Sequence, residues 1–184
     1  MELEYVKYLA KGFETDAVLI DLMNAHGNDV WNFAFFLIRN ADAADDICQD
    51  VFLTVYEKLH TFRGEASMKS WLLAITRNKT YKYKRSAYFS KVIVMDFVTR
   101  RETSRSAEAE VFDLMETKYI WNTVMKLPLR YREVLILEIH YQLSMQEMAS
   151  LLQIAEGTVK SRLHRARKKM TSLLQSDSKG GNII

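Results

Sequence analysis

Cysteine, proline and glycine are scarce in this 184-residue chain, and each scarcity excludes something. Cys48 is the single cysteine, so no intramolecular disulfide can form and no cysteine–histidine set has zinc-ligand spacing. This suits a reducing cytosol. Pro128 is the one proline, which leaves long helical stretches uninterrupted. The six glycines, Gly12, Gly27, Gly64, Gly157, Gly180 and Gly181, form no phosphate-cradling loop. No apolar run approaches the roughly 20 residues that span a bilayer. Met1 to Ala10 alternates charged and apolar residues and lacks the apolar core of a signal peptide. The expectation is a soluble cytoplasmic protein. His26, His60, His140 and His164 are scattered, with no paired carboxylates or nucleophile beside them. His26 near Asp29 is the nearest to a pair, and helix-end chemistry accounts for it. The chain therefore does not read as an enzyme, and no cofactor, metal or small-molecule substrate is expected.

Net charge is only +3, and its distribution carries more information than its sum. From Thr158 to Gln175 there is no acidic residue, whereas Lys160, Arg162, Arg165, Arg167, Lys168 and Lys169 fall in that stretch. From Thr61 to Arg85, Arg63, Lys69, Arg77, Lys79, Lys82, Lys84 and Arg85 are opposed only by Glu65. Aromatic Phe62, Trp71, Tyr81 and Tyr83 are interleaved with them. Basic groups that track a backbone, with rings on which bases stack, are what gripping single-stranded DNA requires.

Helical periodicity dominates. It predicts helices over 15–25, 29–39, 42–59 and 67–85, then 108–126, 129–140, 144–152 and 156–174. Asp42 is a candidate cap for the third, Pro128 suits the first turn after Leu127, and Ser144 with Glu147 makes a capping box. Between 86 and 107 the pattern loosens. Val92–Val98 is unusually apolar there, but no glycine or proline marks a flexible linker. These patterns divide the chain into a domain over 1–86, a joint over 87–115, a domain over 116–176 and a flexible tail over 177–184.

Helices over 144–152 and 156–174, with a break at Gln153-Ile154, have helix-turn-helix spacing. Val159, Leu163, Ala166 and Met170 fall on one side, to pack on Met148 and Leu151. Ser161, His164, Arg165 and Lys168 fall on the other, flanked by Lys160 and Arg162. Such a face is either a solvated helix end or a donor surface for phosphates and base edges. With a capped helix at this spacing ahead of it, DNA binding is the stronger reading. Arg165 and Lys160 suit base edges, Lys168 and Arg162 phosphates. The helix over 42–59 buries Ala44, Cys48, Val51, Phe52, Val55 and Leu59 along one stripe. It gathers Asp46, Asp50 and Glu57 around Leu53 on the other side, which is either a solvated face or a small protein-docking surface. Within the basic segment, Met68, Trp71, Leu72 and Ile75 read as core, and Arg77, Tyr81 and Lys84 share a different face.

Five segments resemble a known family. Leu127-Pro128-Leu129-Arg130-Tyr131-Arg132-Glu133-Val134 is similar to the opening of sigma region 4, and Gly157-Thr158-Val159-Lys160-Ser161-Arg162-Leu163-His164-Arg165-Ala166-Arg167 to its recognition helix. Asp45-Asp46-Ile47-Cys48-Gln49-Asp50-Val51-Phe52 resembles region 2.2. Thr61-Phe62-Arg63-Gly64-Glu65 with Trp71-Leu72-Leu73-Ala74-Ile75-Thr76-Arg77-Asn78 resembles regions 2.3 and 2.4. The family is the extracytoplasmic-function (group IV) sigma factors of bacteria. The resemblance implies an all-α fold of two small helical domains, sigma region 2 and sigma region 4, joined by a linker. It implies a transcription initiation factor that binds core RNA polymerase through Asp46, Gln49, Asp50 and Leu53. Phe62, Arg63 and Asn78, with Arg77, Tyr81 and Lys84 beside them, would open and hold the minus-ten element of promoter DNA. Lys160, Ser161, Arg162, His164, Arg165 and Lys168 would read the minus-thirty-five element. It also implies control by an anti-sigma factor, often membrane-anchored. The chain departs from the family pattern at Gln153, where glycine is usual, and at Ala155, where a capping residue is usual. Both changes loosen the turn. An ordinary helix-turn-helix regulator is the rival reading, but it would lack the acidic helix followed by a basic, aromatic one.

Overall fold

A computed structural model describes the backbone of residues 15–93 and 115–180, with side chains over 15–86 and 119–176. These residues fall into two compact units. Seven α-helices and one 3-10 turn make up the described residues, with no strand among them.

The first unit holds α1 (Thr15–Ile38), α2 (Ala41–Lys58), a 3-10 turn (Leu59–Thr61) and α3 (Met68–Ile93), each helix packed on the other two. The sequence predicts a break near Gly27-Asn28, and the structure has none. Leu22, Val30, Phe33 and Leu37 keep helical spacing across the glycine and are all fully buried. That burial outweighs the roughly 1 kcal/mol that a mid-helix glycine costs. His26 and Asp29 thus lie inside a helix, correcting the helix-end account of the pair. Asp29 stands 3.7 Å from His26 Nδ1 and 3.0 Å from Lys69 Nζ, which ties α1 to α3. Burial alone would push the Asp29 carboxyl up, but His26 and Lys69 outweigh it and hold the carboxyl below its ordinary value. This contribution is complete at neutral pH and fades as pH falls through the lowered pKa.

Arg39, at φ 62°, turns the chain out of α1. The cap of α2 is Asn40, whose side chain accepts from the Ala43 N–H at 2.7 Å, and not Asp42. Asp42 lies in the first turn, where its charge still favours the helix dipole. Ser67 Oγ accepts from the Ser70 N–H at 3.0 Å and opens α3. This helix runs to Ile93, beyond the 85 expected, so Val92 and Ile93 are helical; Val94–Val98 lie outside the described residues. Ile47 and Leu73 join the core, and Thr76 and Thr80 are buried with their hydroxyls donating to carbonyls one turn back.

The second unit holds α4 (Met115–Lys126), α5 (Leu129–Ile139), α6 (Met145–Leu152) and α7 (Glu156–Gly180). Pro128 stands just ahead of α5 as its cap position, and not inside the first turn. The Ser144–Glu147 capping box is present in both directions. Helix α7 extends six residues past the expected end at 174, through Gly180, so part of the segment expected to be a flexible tail is helical. Its inner side, Val159, Leu163 and Ala166, is fully buried, and Met148, Leu151, Val134 and Leu137 are buried in the same unit.

Gln153 adopts the left-handed conformation, φ 55° and ψ 47°, and the Ile154 N–H closes back on the Ala149 carbonyl at 3.1 Å. Ala155 holds the cap position of α7: its carbonyl accepts from the Thr158 and Val159 N–H groups, while its methyl can accept nothing. Gln153→Gly relieves the left-handed strain and Ala155→Ser supplies a cap. Each is expected to stabilise this unit by about 1 kcal/mol, or roughly 4–8 °C in Tm. Thermal melts of the single and double variants check this, and an unchanged midpoint would show the turn to be unstrained.

Candidate nucleic-acid and protein interfaces

Residues 46, 49, 50 and 53 share one face of α2 because their spacing of three and four is that of a helix. Asp46, Gln49 and Asp50 are exposed, and Leu53, on the side of α2 away from its buried stripe, is 64% exposed. Leu53 and Gln49 also line an apolar groove of about 710 Å³ between α1 and α2, together with Met23, Trp31 and Phe52. Trp31 Nε1 donates to Asp45 at 2.6 Å and pins the two helices at the groove's edge. Cys48, expected in the buried stripe, is half-exposed and borders this groove; Ile47 takes the buried place. Partial burial, then the neighbouring Asp45, raises the Cys48 thiol above its ordinary pKa, which leaves it a poor nucleophile.

The segment from Phe62 to Ser67 is shaped by Gly64, whose φ of 73° favours a residue without Cβ. Arg63 projects from it with its side chain 83% exposed, 4.0 Å from Glu65. Phe62 does the opposite. Its ring is buried at 7% exposure and packs on Trp71, with centroids 5.3 Å apart. The sequence predicts Phe62 as a DNA contact, but apolar area gained against Trp71 holds it inward here. Asn78 is exposed on α3, and the Arg77 guanidinium stacks over the Tyr81 ring at 4.6 Å. Lys84 separates from that pair: its Nζ donates to the Leu37 carbonyl at 3.4 Å, near the end of α1 where a cation is favoured.

On α7, Lys160, Ser161, His164, Arg165 and Lys168 are exposed on the side away from the core, and Arg162 is half-buried. Ser161 Oγ donates to the Thr158 carbonyl at 3.0 Å. Arg167, one more cation in the basic run by sequence, is bound to Glu138 of α5 at 2.6 Å and braces α7 on its neighbour. Arg132 is nearly fully buried and donates from Nη1 to the Met125 carbonyl at 2.9 Å, joining α5 to the end of α4. Neither bracing role could be read from residue type, since each needs a partner on a different helix. Among the described residues there is no group of three side chains able to hold a metal ion, and no helix long and apolar enough to cross a membrane.

Family models for sigma-70 region 2 and sigma-70 region 4 match residues 22–89 and 117–170. The RNA polymerase sigma factor SigV of Bacillus subtilis is 30% identical over 156 residues, covering 85% of this chain and 90% of that protein. The ECF RNA polymerase sigma factor SigW of the same organism is 27% identical over 179 residues, covering 92% and 95%. Among solved structures, the sigma factor RpoE of Bartonella quintana, in complex with the anti-sigma factor NepR, aligns with a TM-score of 0.70 and 26% identity over 84% of this chain and 95% of that one. With both sigma-70 regions matched in order along the chain, and with SigV and the ECF sigma factor EcfG of Rhodopseudomonas palustris each 30% identical to it, the chain belongs to the extracytoplasmic-function sigma factors of the sigma-70 family, transcription initiation factors that direct RNA polymerase to promoters.

Proposed function

We propose that residues 1–86 and 116–176 divide the work of initiation between them. The observation that carries this reading is the exposure of Leu53 among Asp46, Gln49 and Asp50 on α2, next to the basic helix α3. The α2 face docks on core polymerase: carboxylates steer and orient a basic partner surface, and Leu53 supplies the apolar anchor. Arg63 and Asn78, with the stacked Arg77–Tyr81 pair, engage the opened minus-ten strand. Phe62 backs the loop from within, and its ring contacts DNA only if it leaves Trp71. Lys84 holds the phosphate side near the end of α1. In the second unit, Arg165 and Lys160 meet base edges of the minus-thirty-five element. Ser161 and His164 lie between them, and Arg162 and Lys168 meet phosphates.

None of these steps makes or breaks a covalent bond, so the protein acts by binding and not as an enzyme. Extruding a base costs a few kcal/mol, which stacking and charge contacts offset without ATP. The work takes place in the cytoplasm, where the polymerase is. The relative solved with its anti-sigma factor supports an anti-sigma partner here too, one that covers the same faces until a signal removes it.

Run-off transcription with core polymerase, this protein and a pool of promoter fragments tests the reading. Starts that depend on the added protein are expected. Tight duplex binding by the protein alone, with no redirection of core polymerase, would favour an ordinary helix-turn-helix regulator instead.

A further inference from the structure

The two working faces of the first unit meet at a second groove, of about 420 Å³, between α2 and α3. Its walls carry opposite charges: Asp46 and Asp50 from α2, Lys79 and Lys82 from α3. Across it, Lys79 Nζ lies 3.8 Å from Asp50 Oδ2, with the Lys79 side chain 27% exposed and that of Asp50 63% exposed. Asp50 is a polymerase-docking residue in the reading above. Lys79 neighbours Asn78 on the helix that would hold single-stranded DNA. One ion pair therefore joins a group of the protein-docking face to a group of the DNA-binding helix.

We infer that Lys79 is a DNA phosphate contact withheld by Asp50 in the free protein and released when core polymerase engages Asp50. The inference rests on the proposed assignment of α2 to polymerase and α3 to DNA. An Asp50 carboxylate satisfied by basic donors from polymerase holds Lys79 more weakly. The lysine ammonium, a point charge on a flexible four-carbon stem, can then swing out of the groove toward a phosphate. Lys82 is exposed and stays available throughout. The coupling is modest because the pair is long and partly solvated. An exposed pair of this kind shifts an equilibrium by about two- to five-fold at low salt. Linkage makes the effect reciprocal: DNA held by Lys79 leaves Asp50 freer for polymerase by the same factor. The helix that finds polymerase thus suppresses part of the strand-binding charge until polymerase arrives, which limits unproductive binding to nucleic acid.

The test measures anisotropy of a labelled oligothymidylate single strand with the full chain at low ionic strength, without polymerase. Asp50→Asn is expected to tighten binding about two- to five-fold beyond Glu57→Gln, which removes the same charge from the same helix. Its salt dependence is expected to steepen by about 0.7 in log–log slope, the signature of one added phosphate contact on a single strand. In a Lys79→Gln background the excess of Asp50→Asn over Glu57→Gln is expected to vanish. If Asp50→Asn matches Glu57→Gln, or if its excess persists without Lys79, the inference is overturned. That failure leaves promoter-directed transcription by the wild-type chain untouched. A chain that never redirects polymerase loses the functional reading instead, whatever the oligonucleotide shows.

Discussion

Asp50→Arg is expected to weaken binding to core polymerase by about 30-fold or more and to remove promoter-specific run-off at protein concentrations that saturate the wild type. Reversing a charge inside a docking face removes one favourable contact and sets like charges against each other, and losses of 2–5 kcal/mol are typical when a desolvated pair is broken. The fold should survive, because Asp50 is exposed and its ion pair with Lys79 at 3.8 Å contributes little to stability. Leu53→Ala tests the apolar half of the same face: removing an exposed anchor should cost polymerase affinity and leave thermal stability unchanged. Pull-down or anisotropy titration with core polymerase gives the affinity, and a melting curve gives the control. Wild-type affinity in a folded Asp50→Arg protein would place the polymerase face elsewhere on the unit.

Arg165→Ala is expected to cost about 5- to 150-fold in promoter-specific initiation and to relax the base preference at one position of the minus-thirty-five element. That is the range of 1–3 kcal/mol for losing a bidentate arginine–base contact. Lys168→Ala should behave differently. Loss of a phosphate contact weakens binding to all sequences alike and lowers the salt slope by about one. Arg167→Ala makes a third case. Its guanidinium is engaged by Glu138, so its loss should appear as a lower melting temperature of the second unit and not as a change of base preference. Selection from randomised promoters with each variant separates the three. A uniform loss of affinity in Arg165→Ala, with base preference intact, would move Arg165 to the backbone class and leave base reading to Lys160 or His164.

Much of the fold was legible because its signals are local. The Ser144–Glu147 box marks the start of α6 within four residues, and the buried side of α7 follows from a period of 3.6. The candidate faces were legible for the same reason. Exposed carboxylates around Leu53, and cations opposite Val159 and Leu163, are arithmetic on a single helix. The misreadings arose where one element answers to another. Gly27 reads as a break until the buried side chains of α1 are seen to continue through it. Asp42 and Asn40 are both good caps by type, and the entry of the chain after Arg39 selects Asn40. Phe62 is a case apart: its motif bears on DNA, and its packing in the free protein is set by Trp71 of the next helix.

By itself, the sequence determined the all-helical class, the helix-turn-helix, the division of charge between α2, α3 and α7, and the family. Each of these is written in periodicity and motif over a few consecutive turns. Only the tertiary structure decided which side chains remain available on those surfaces. Packing three helices turned Phe62 inward, brought Cys48 to the edge of a groove and drew Lys84 to the end of α1. It set Lys79 against Asp50, and packing within the second unit bound Arg167 to Glu138. The partners in these last two pairs are 29 residues apart in the sequence, and no helical period relates residues on different helices.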